Sequence, residues 1–140
     1  MTINNILSLD VGEKRIGVAR AGVVALLAQP QTTLLNDALV FNNIARLTEE
    51  LQVSEVIVGL PRNINDEDTQ QTRYIRRFAD SLKSEVNSII IHFQDEANTS
   101  QKAKAELQER NKPYEKADID ALAATYILQD FIDTRKGSVQ

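Results

Sequence analysis

Four acidic side chains occupy positions that could bring them to one edge of a sheet. Asp10 ends the first apolar run, Asp95 and Glu96 follow the last one, and Asp120 lies in the first turn of the predicted final helix. Clustered carboxylates repel one another unless a cation lies between them. With no cysteine and a single histidine in the chain, Mg²⁺ or Mn²⁺ is the expected cofactor. Two such ions about 3.5–4 Å apart would align a water nucleophile and stabilise the leaving oxygen of a phosphodiester.

Asp10 lies within a predicted antiparallel hairpin. Residues 6–19 read ILSLDVGEKRIGVA, in which two apolar runs flank a short polar turn that contains glycine. An ionised carboxylate in the most buried strands of a domain needs a partner, a hydrogen bond or a metal ion. The alternative is a solvated acid close to the hairpin turn. Lys14 and Arg15 follow Asp10 closely, either as plain turn residues or as contacts to a phosphate backbone.

The remaining pattern predicts an α/β domain with a mixed five-stranded sheet. The predicted elements are a third strand at 32–35, a helix capped by Asn36 or Asp37, a buried strand at 55–59, a long polar loop at 60–68, a helix at 69–86, a buried strand at 88–93, a helix from Thr99 or Ser100 to 111, and a final helix from 118. A strand-helix-strand series implies parallel pairing. We therefore expect three antiparallel strands, then two parallel ones, with helices on both faces. A single domain at 6–133 and a flexible tail at 134–140 complete the prediction.

Three arginines cluster in the first half of the helix predicted at 69–86. They are Arg73, Arg76 and Arg77. Positive charge near a helix N-terminus opposes the helix dipole, which favours a role in binding substrate. The alternative is a solvated face whose arginines form weak ion pairs with nearby acids.

Composition limits the classes of function. The chain has 140 residues and a net charge of −4, so no strongly basic surface attracts nucleic acid over a long range. No apolar stretch approaches the roughly 20 residues that span a bilayer. We expect a cytoplasmic protein without membrane contact, because no signal-peptide pattern and no cysteine are present.

Four motifs together resemble a known family. LSLDVGEKRIGVA, VIVGLPRN, the acid pair at 95–96 and IDALAATYILQDFID follow one another across residues 6–133. In this order they resemble the YqgF family of RNase H-fold proteins, also called Holliday-junction-resolvase-like proteins or nucleases of small-subunit ribosomal RNA maturation. The resemblance implies an RNase H-like fold and a metal-dependent phosphodiesterase site. By motif position Asp10 and Asp120 match two of its acids. The third lies in the pair, where Glu96 is preferred and Asp95 remains a further candidate ligand.

The resemblance also implies a substrate and leaves alternatives open. It implies a nuclease of structured nucleic acid, acting on the precursor of 16S ribosomal RNA, with Arg62 and Asn63 beside the site. Resolvases of this fold act as dimers, but nothing in the sequence marks an interface, so a homodimer is one of the assemblies left open. One alternative is a resolvase of branched DNA. Another is a weakly catalytic protein that binds nucleic acid or ribosome precursors, favoured by Ala97 where the family has arginine. An ATPase of the actin and sugar-kinase type opens with a similar hairpin but needs two such domains.

Overall fold

One mixed sheet of five strands forms the centre of the protein. The computed structural model describes residues 4–61 and 68–138, so Arg62 and Asn63 lie outside the described residues. In chain order the elements are β1 (Asn5–Val11), β2 (Arg15–Gly22), β3 (Gln29–Leu35), α1 (Val40–Glu50), β4 (Val53–Pro61), α2 (Gln70–Glu85), β5 (Ile90–Glu96), α3 (Thr99–Glu109) and α4 (Lys116–Ser138). The strand order across the sheet is β3-β2-β1-β4-β5.

The predicted hairpin is confirmed. Strands β1 and β2 pair antiparallel, with Asp10 opposite Gly17. The turn is closed by a hydrogen bond from the Gly12 amide to the Arg15 carbonyl oxygen, 3.0 Å long. The Asn36 side chain donates to the Gly12 carbonyl oxygen at 2.8 Å and fixes the turn against the end of β3. The hairpin thereby gives Asp10 a defined position at the end of β1.

Strand β4 lies between β1 and β5 and runs parallel to both. Its apolar residues are buried, as expected for a strand covered on both faces. The prediction that the last strand is also buried is wrong, because β5 is an edge strand with only one neighbour. Ile90 is 57% exposed, and Glu96 is the only buried residue of β5. The opposite edge is β3, where Pro30 is tolerated at a register shift.

Helices cover both faces of the sheet. On one face α1 and α2 pack over a core that includes Leu7, Leu9, Val56 and Val58. On the other face α4 packs through Ala124, Ile127, Leu128 and Ile132. Helix α3 packs against α4 rather than against the sheet. Residues 134–138, expected to form a tail, belong to α4.

The helix starts differ in part from the sequence prediction. Thr69 caps α2 through a reciprocal pair of hydrogen bonds with Thr72. Neither Thr99 nor Ser100 caps α3; instead Asn98 precedes it in a left-handed conformation, with φ of 58°. Helix α4 begins at Lys116 rather than 118, and the Asp118 carboxylate accepts a hydrogen bond from the Glu115 amide at 2.8 Å. Asp118 is therefore a capping residue of α4.

No helix in the described part of the chain has the length and apolar character needed to span a membrane.

Candidate active site

Asp10 and Glu96 line one cleft at the carboxyl ends of β1, β4 and β5. The cleft has a volume of about 230 Å³, and the first turn of α3 forms part of its wall. Its other polar lining residues are Gln71, Asn98, Thr99, Ser100 and Gln101. The two acids come from strands on opposite sides of β4. Ligand sites of parallel sheets characteristically form at this carboxyl edge.

Gly59 lines the cleft at a position where a side chain would collide with α4. It lies in β4 and pairs with Gln94 of β5, two residues before Glu96. A Cβ atom at this position would come within 2.5 Å of the Ile127 side chain of α4. The absence of a side chain therefore lets α4 approach the sheet directly beneath the cleft.

The Asp10 carboxyl group is partly buried beside another acid. Burial, and next the negative charge of Asp120, together raise its pKa to about 6. Desolvation disfavours the ionised form, and a like charge nearby does the same. A cation in contact with Asp10 would relieve both effects.

Glu96 is the second acid with a perturbed pKa. Its side chain is 9% exposed, and its Oε1 atom has no hydrogen-bond partner in the described part of the structure. Burial, and next the Asp130 carboxyl group, raise the pKa of Glu96 to about 8. No sequence pattern indicated Asp130. It lies ten residues after Asp120 on α4, about 80° short of three full turns at 3.6 residues each, so helical spacing alone does not place the two acids on one face.

Asp120 lies beside Asp10 but is bound by an arginine. The Arg15 Nε atom is 2.6 Å from Asp120 Oδ2, which makes a charge-assisted hydrogen bond. The backbone of Asp120 is held close to the sheet, because a Cβ atom at Gly17 would overlap its carbonyl oxygen. No three acidic or histidine side chains within residues 4–61 and 68–138 are grouped as a metal site requires.

The other predicted site residues are dispersed. Asp95 is exposed, and adjacent residues of a strand point to opposite faces, so it does not share the position of Glu96. Lys14 is exposed on the hairpin turn.

The three arginines of α2 do not converge on one point. Arg73 Nη1 donates to the Asp68 carbonyl oxygen at 3.1 Å, and the Arg76 guanidinium lies 5.4 Å from the centre of the Phe93 ring. Arg77 lines a second cavity of about 610 Å³ beside the hairpin turn. Val11 and Gln71 line both cavities, so this second cavity adjoins the cleft. Arg77 thus lines a cavity that adjoins the cleft of the two acids.

The donor set of the cleft fits a hard divalent cation. Asp10 and Glu96 offer carboxylate oxygens, and the Oε1 atom of Glu96 is buried without a partner in the described structure. Oxygen ligands of this kind are those that Mg²⁺ and Mn²⁺ prefer. Asp120 would be a further ligand, although its Oδ2 atom is held by Arg15 at 2.6 Å.

The mixed sheet with helices on both faces, and acids at its carboxyl edge, define an RNase H-like α/β protein. Solved structures agree with this fold. RuvC of T. thermophilus in complex with a Holliday junction substrate aligns with a TM-score of 0.57 at 15% identity, covering 96% of this chain and 97% of that one. A second Thermus thermophilus RuvC structure gives a TM-score of 0.55 at 13% identity, covering 95% of this chain and 96% of that one.

Sequence relatives identify the family. The sequence-family model described as "RuvX: Holliday junction resolvase" matches residues 4–134, and the chain belongs to this family. A relative from Sulfurihydrogenibium is 38% identical, covering 94% of this chain and 91% of its own length. One from Chloroflexus aggregans is 41% identical, covering 97% of this chain and 98% of its own. Both carry the name "Putative pre-16S rRNA nuclease". The resemblance to the YqgF family and the RNase H-like fold are thereby confirmed.

Proposed function

We propose that this protein is a divalent-metal-dependent nuclease that hydrolyses phosphodiester bonds of structured RNA. The observation that carries the proposal is the pair of carboxyl groups, the partly buried Asp10 and the buried Glu96, that line one cleft at the carboxyl edge of the sheet. Such groups, with pKa values raised by burial, are typical of sites that bind a cation or transfer a proton. The names of the relatives support the precursor of 16S ribosomal RNA as the substrate.

Each residue has a proposed role. Asp10 and Glu96 hold the cation, and Asp120 joins them as a further ligand. Asp95 is the weaker candidate ligand, since it is exposed on the other face of β5. These residues would hold a divalent ion that would polarise the phosphate and lower the pKa of a bound water, and a second ion would stabilise the leaving oxygen.

Basic and polar groups around the cleft would position the RNA strand. Arg15 binds Asp120, Arg77 lines the cavity that adjoins the cleft, and Lys14 is exposed on the hairpin turn. Arg73 and Arg76 would contact the strand further from the acids. Arg62 and Asn63 also stay proposed substrate contacts. Arginine suits this role because its planar guanidinium matches the geometry of a phosphate group.

Cleavage of a labelled 16S precursor fragment with Mn²⁺, with Mg²⁺ or with EDTA tests the proposal. We expect cleavage only with a divalent ion. We also expect Asp10→Asn and Glu96→Gln to lower the rate by roughly 10²–10³-fold, as loss of a group that stabilises the transition state does. Asp95→Asn is the matched control, because it removes the neighbouring exposed carboxylate and should keep most of the activity. Equal losses in Glu96→Gln and Asp95→Asn would contradict the assignment.

A resolvase of branched DNA is the second candidate function, favoured by the description of the matching family. A four-way DNA junction assayed beside the RNA fragment separates the two, since the expected order is faster cleavage of the RNA. Ala97, exposed directly after Glu96, favours the third candidate, a binding protein of low activity. Tight RNA binding by the wild-type protein without any metal-dependent cleavage would establish that reading.

Location and assembly belong to the same proposal. For a ribosomal RNA precursor as substrate we expect a cytoplasmic protein. A homodimer is the assembly that we propose for test. Sedimentation equilibrium at micromolar concentration measures the assembly state directly, and a monomer throughout would exclude the dimer.

A further inference from the structure

The ion pair between Arg15 and Asp120 occupies a carboxylate that the proposed metal site needs. We propose that Arg15 and the divalent cation compete for Asp120, and that a phosphate of the substrate strand releases Asp120 by taking Arg15 in its place. This inference rests on the proposed function. It makes Arg15 a positioning residue that links substrate binding to completion of the metal site.

The backbone around Asp120 is fixed, so its carboxylate can change partners only by rotation of the side chain. The first turns of α4 are tied to β3 by the Thr33 hydroxyl, which donates to the Ala117 carbonyl oxygen at 2.6 Å. The buried Ser8 hydroxyl of β1 donates to the Ala124 carbonyl oxygen at 2.6 Å. Contact between Gly17 and the Asp120 carbonyl oxygen leaves no room for the helix to move closer to β2.

The Asp120 side chain contacts Arg15 and acts electrostatically on Asp10. Arg15 holds one carboxylate oxygen at 2.6 Å, and the charge of Asp120 raises the pKa of the partly buried Asp10 carboxyl group. Asp120 therefore lies between an arginine on β2 and an acid on β1. The two strands are neighbours in the sheet, and Asp10 faces Gly17, two residues after Arg15.

Arg15 is suited to exchange Asp120 for a phosphate. Its side chain is 32% exposed, and that of Asp120 is 18% exposed, so solvent weakens the pair. The guanidinium has five N–H donors, and the hydrogen bond to Asp120 uses the single one on Nε. A phosphate bound in a bidentate manner at the guanidinium edge that carries Nε needs this donor, and therefore displaces Asp120.

The inference is tested by measuring Mn²⁺ binding to the substrate-free protein by electron paramagnetic resonance. Because a ligand's apparent affinity falls with the fraction of protein competent to bind it, we expect Arg15→Gln to bind Mn²⁺ roughly 3–10-fold more tightly than wild type. Lys14→Gln is the matched control, since it removes the same charge from the adjacent residue without a bond to Asp120. It should change the affinity by less than a factor of about 2.

A double-mutant cycle distinguishes competition from simple loss of positive charge. In an Asp120→Asn background, Arg15→Gln should no longer tighten Mn²⁺ binding, because the carboxylate for which Arg15 and Mn²⁺ compete is absent. An equal gain in both backgrounds, or an equal gain in Lys14→Gln, would overturn the inference. Thermal unfolding of each variant establishes that it is folded under the conditions of the binding measurement.

Release of Asp120 by a substrate phosphate is tested separately, by measuring RNA binding. Ca²⁺ should tighten the binding of an RNA oligonucleotide by a larger factor in the wild type than in Arg15→Gln, where no arginine has to be displaced. Equal tightening in the two proteins would overturn the release of Asp120 by phosphate. Failure of the proposed function alone would give a different result from failure of this inference: the protein would bind Mn²⁺ as described but cleave no RNA. Absence of Mn²⁺ binding in every variant would overturn both.

Discussion

Asp10 and Glu96 hold protons more tightly in the folded chain than in the unfolded one. Burial, and next a neighbouring carboxyl group (Asp120 for Asp10, Asp130 for Glu96), raises the pKa of Asp10 from 3.8 to about 6 and that of Glu96 from 4.5 to about 8. Between the unfolded-state and folded-state pKa values of each group, the folded protein retains a proton that the unfolded chain has released. Folding stability therefore falls as the pH rises through that range, and a bound divalent cation would offset the loss.

At the scale of single residues, this predicts how stability depends on pH. The melting temperature of the metal-free protein should fall between pH 5 and pH 8, by roughly 3–5 °C for each kcal/mol lost in a domain of this size. Glu96→Gln should flatten this slope, because a neutral amide cannot ionise. Differential scanning calorimetry at several pH values measures it. Asp95→Asn should keep the wild-type slope, and a Glu96→Gln slope equal to wild type would contradict the prediction.

The sequence identified the acids better than it identified their partners. Asp10 and Glu96 could be selected because each ends an apolar run whose strand direction sets its position. The bond between Arg15 and Asp120 joins residues 105 positions apart, and no local pattern records such a contact. The proximity of Asp130 to Glu96 was missed for a related reason, since it depends on how α4 crosses the sheet.

At the scale of elements, the close approach of α4 to β2 depends on Gly17. Gly17→Ala should destabilise the protein by roughly 1–3 kcal/mol, the usual effect of overpacking, because the new methyl group would overlap the backbone of α4 at Asp120. Urea unfolding measures the change. Gly22→Ala, at the other end of the same strand, is the control: its nearest neighbour would be 3.9 Å away, so we expect almost no loss. Similar losses in both variants would contradict this account.

Helix α2 permits a separate prediction about binding of the RNA strand. Arg77 lines the cavity that adjoins the cleft, so Arg77→Gln should remove about one phosphate contact and lower the slope of log K against log salt by about 1. Fluorescence anisotropy with Ca²⁺ in place of Mn²⁺ measures it. Arg110→Gln is the control, because Arg110 pairs with Glu106 at the far end of α3 and should leave the slope unchanged. A larger change in Arg110→Gln would exclude the proposed path of the strand.

Element types were more predictable than element ends. The period of apolar residues distinguishes strands from helices, and each predicted strand and helix is present among the described residues. The starts of α3 and α4 differ because backbone conformation and capping geometry decide them: Asn98 adopts a left-handed conformation, and Asp118 caps from inside the helix. The exposure of β5 was missed because only the strand order reveals an edge.

At the scale of the whole molecule, the net charge of −4 means that affinity for nucleic acid must come from local groups. The mixed sheet and its topology followed from the order of elements, since short connections and right-handed crossovers leave few arrangements. That one domain suffices, at residues 6–133, stays a prediction.

The hydrogen bonds that fix α4 have a consequence for the order of folding. Ser8 and Ala124 are separated by 116 positions, and Arg15 and Asp120 by 105, so these bonds close nearly the longest loops the chain can make. Contacts of such sequence separation generally form late, after local structure has reduced the entropy of closing the loop. A partly folded chain would therefore contain Asp10 at the end of its hairpin before Asp120 of α4 reaches it. Catalytic competence should arise only with the final docking of that helix, so that incomplete intermediates are inert towards RNA.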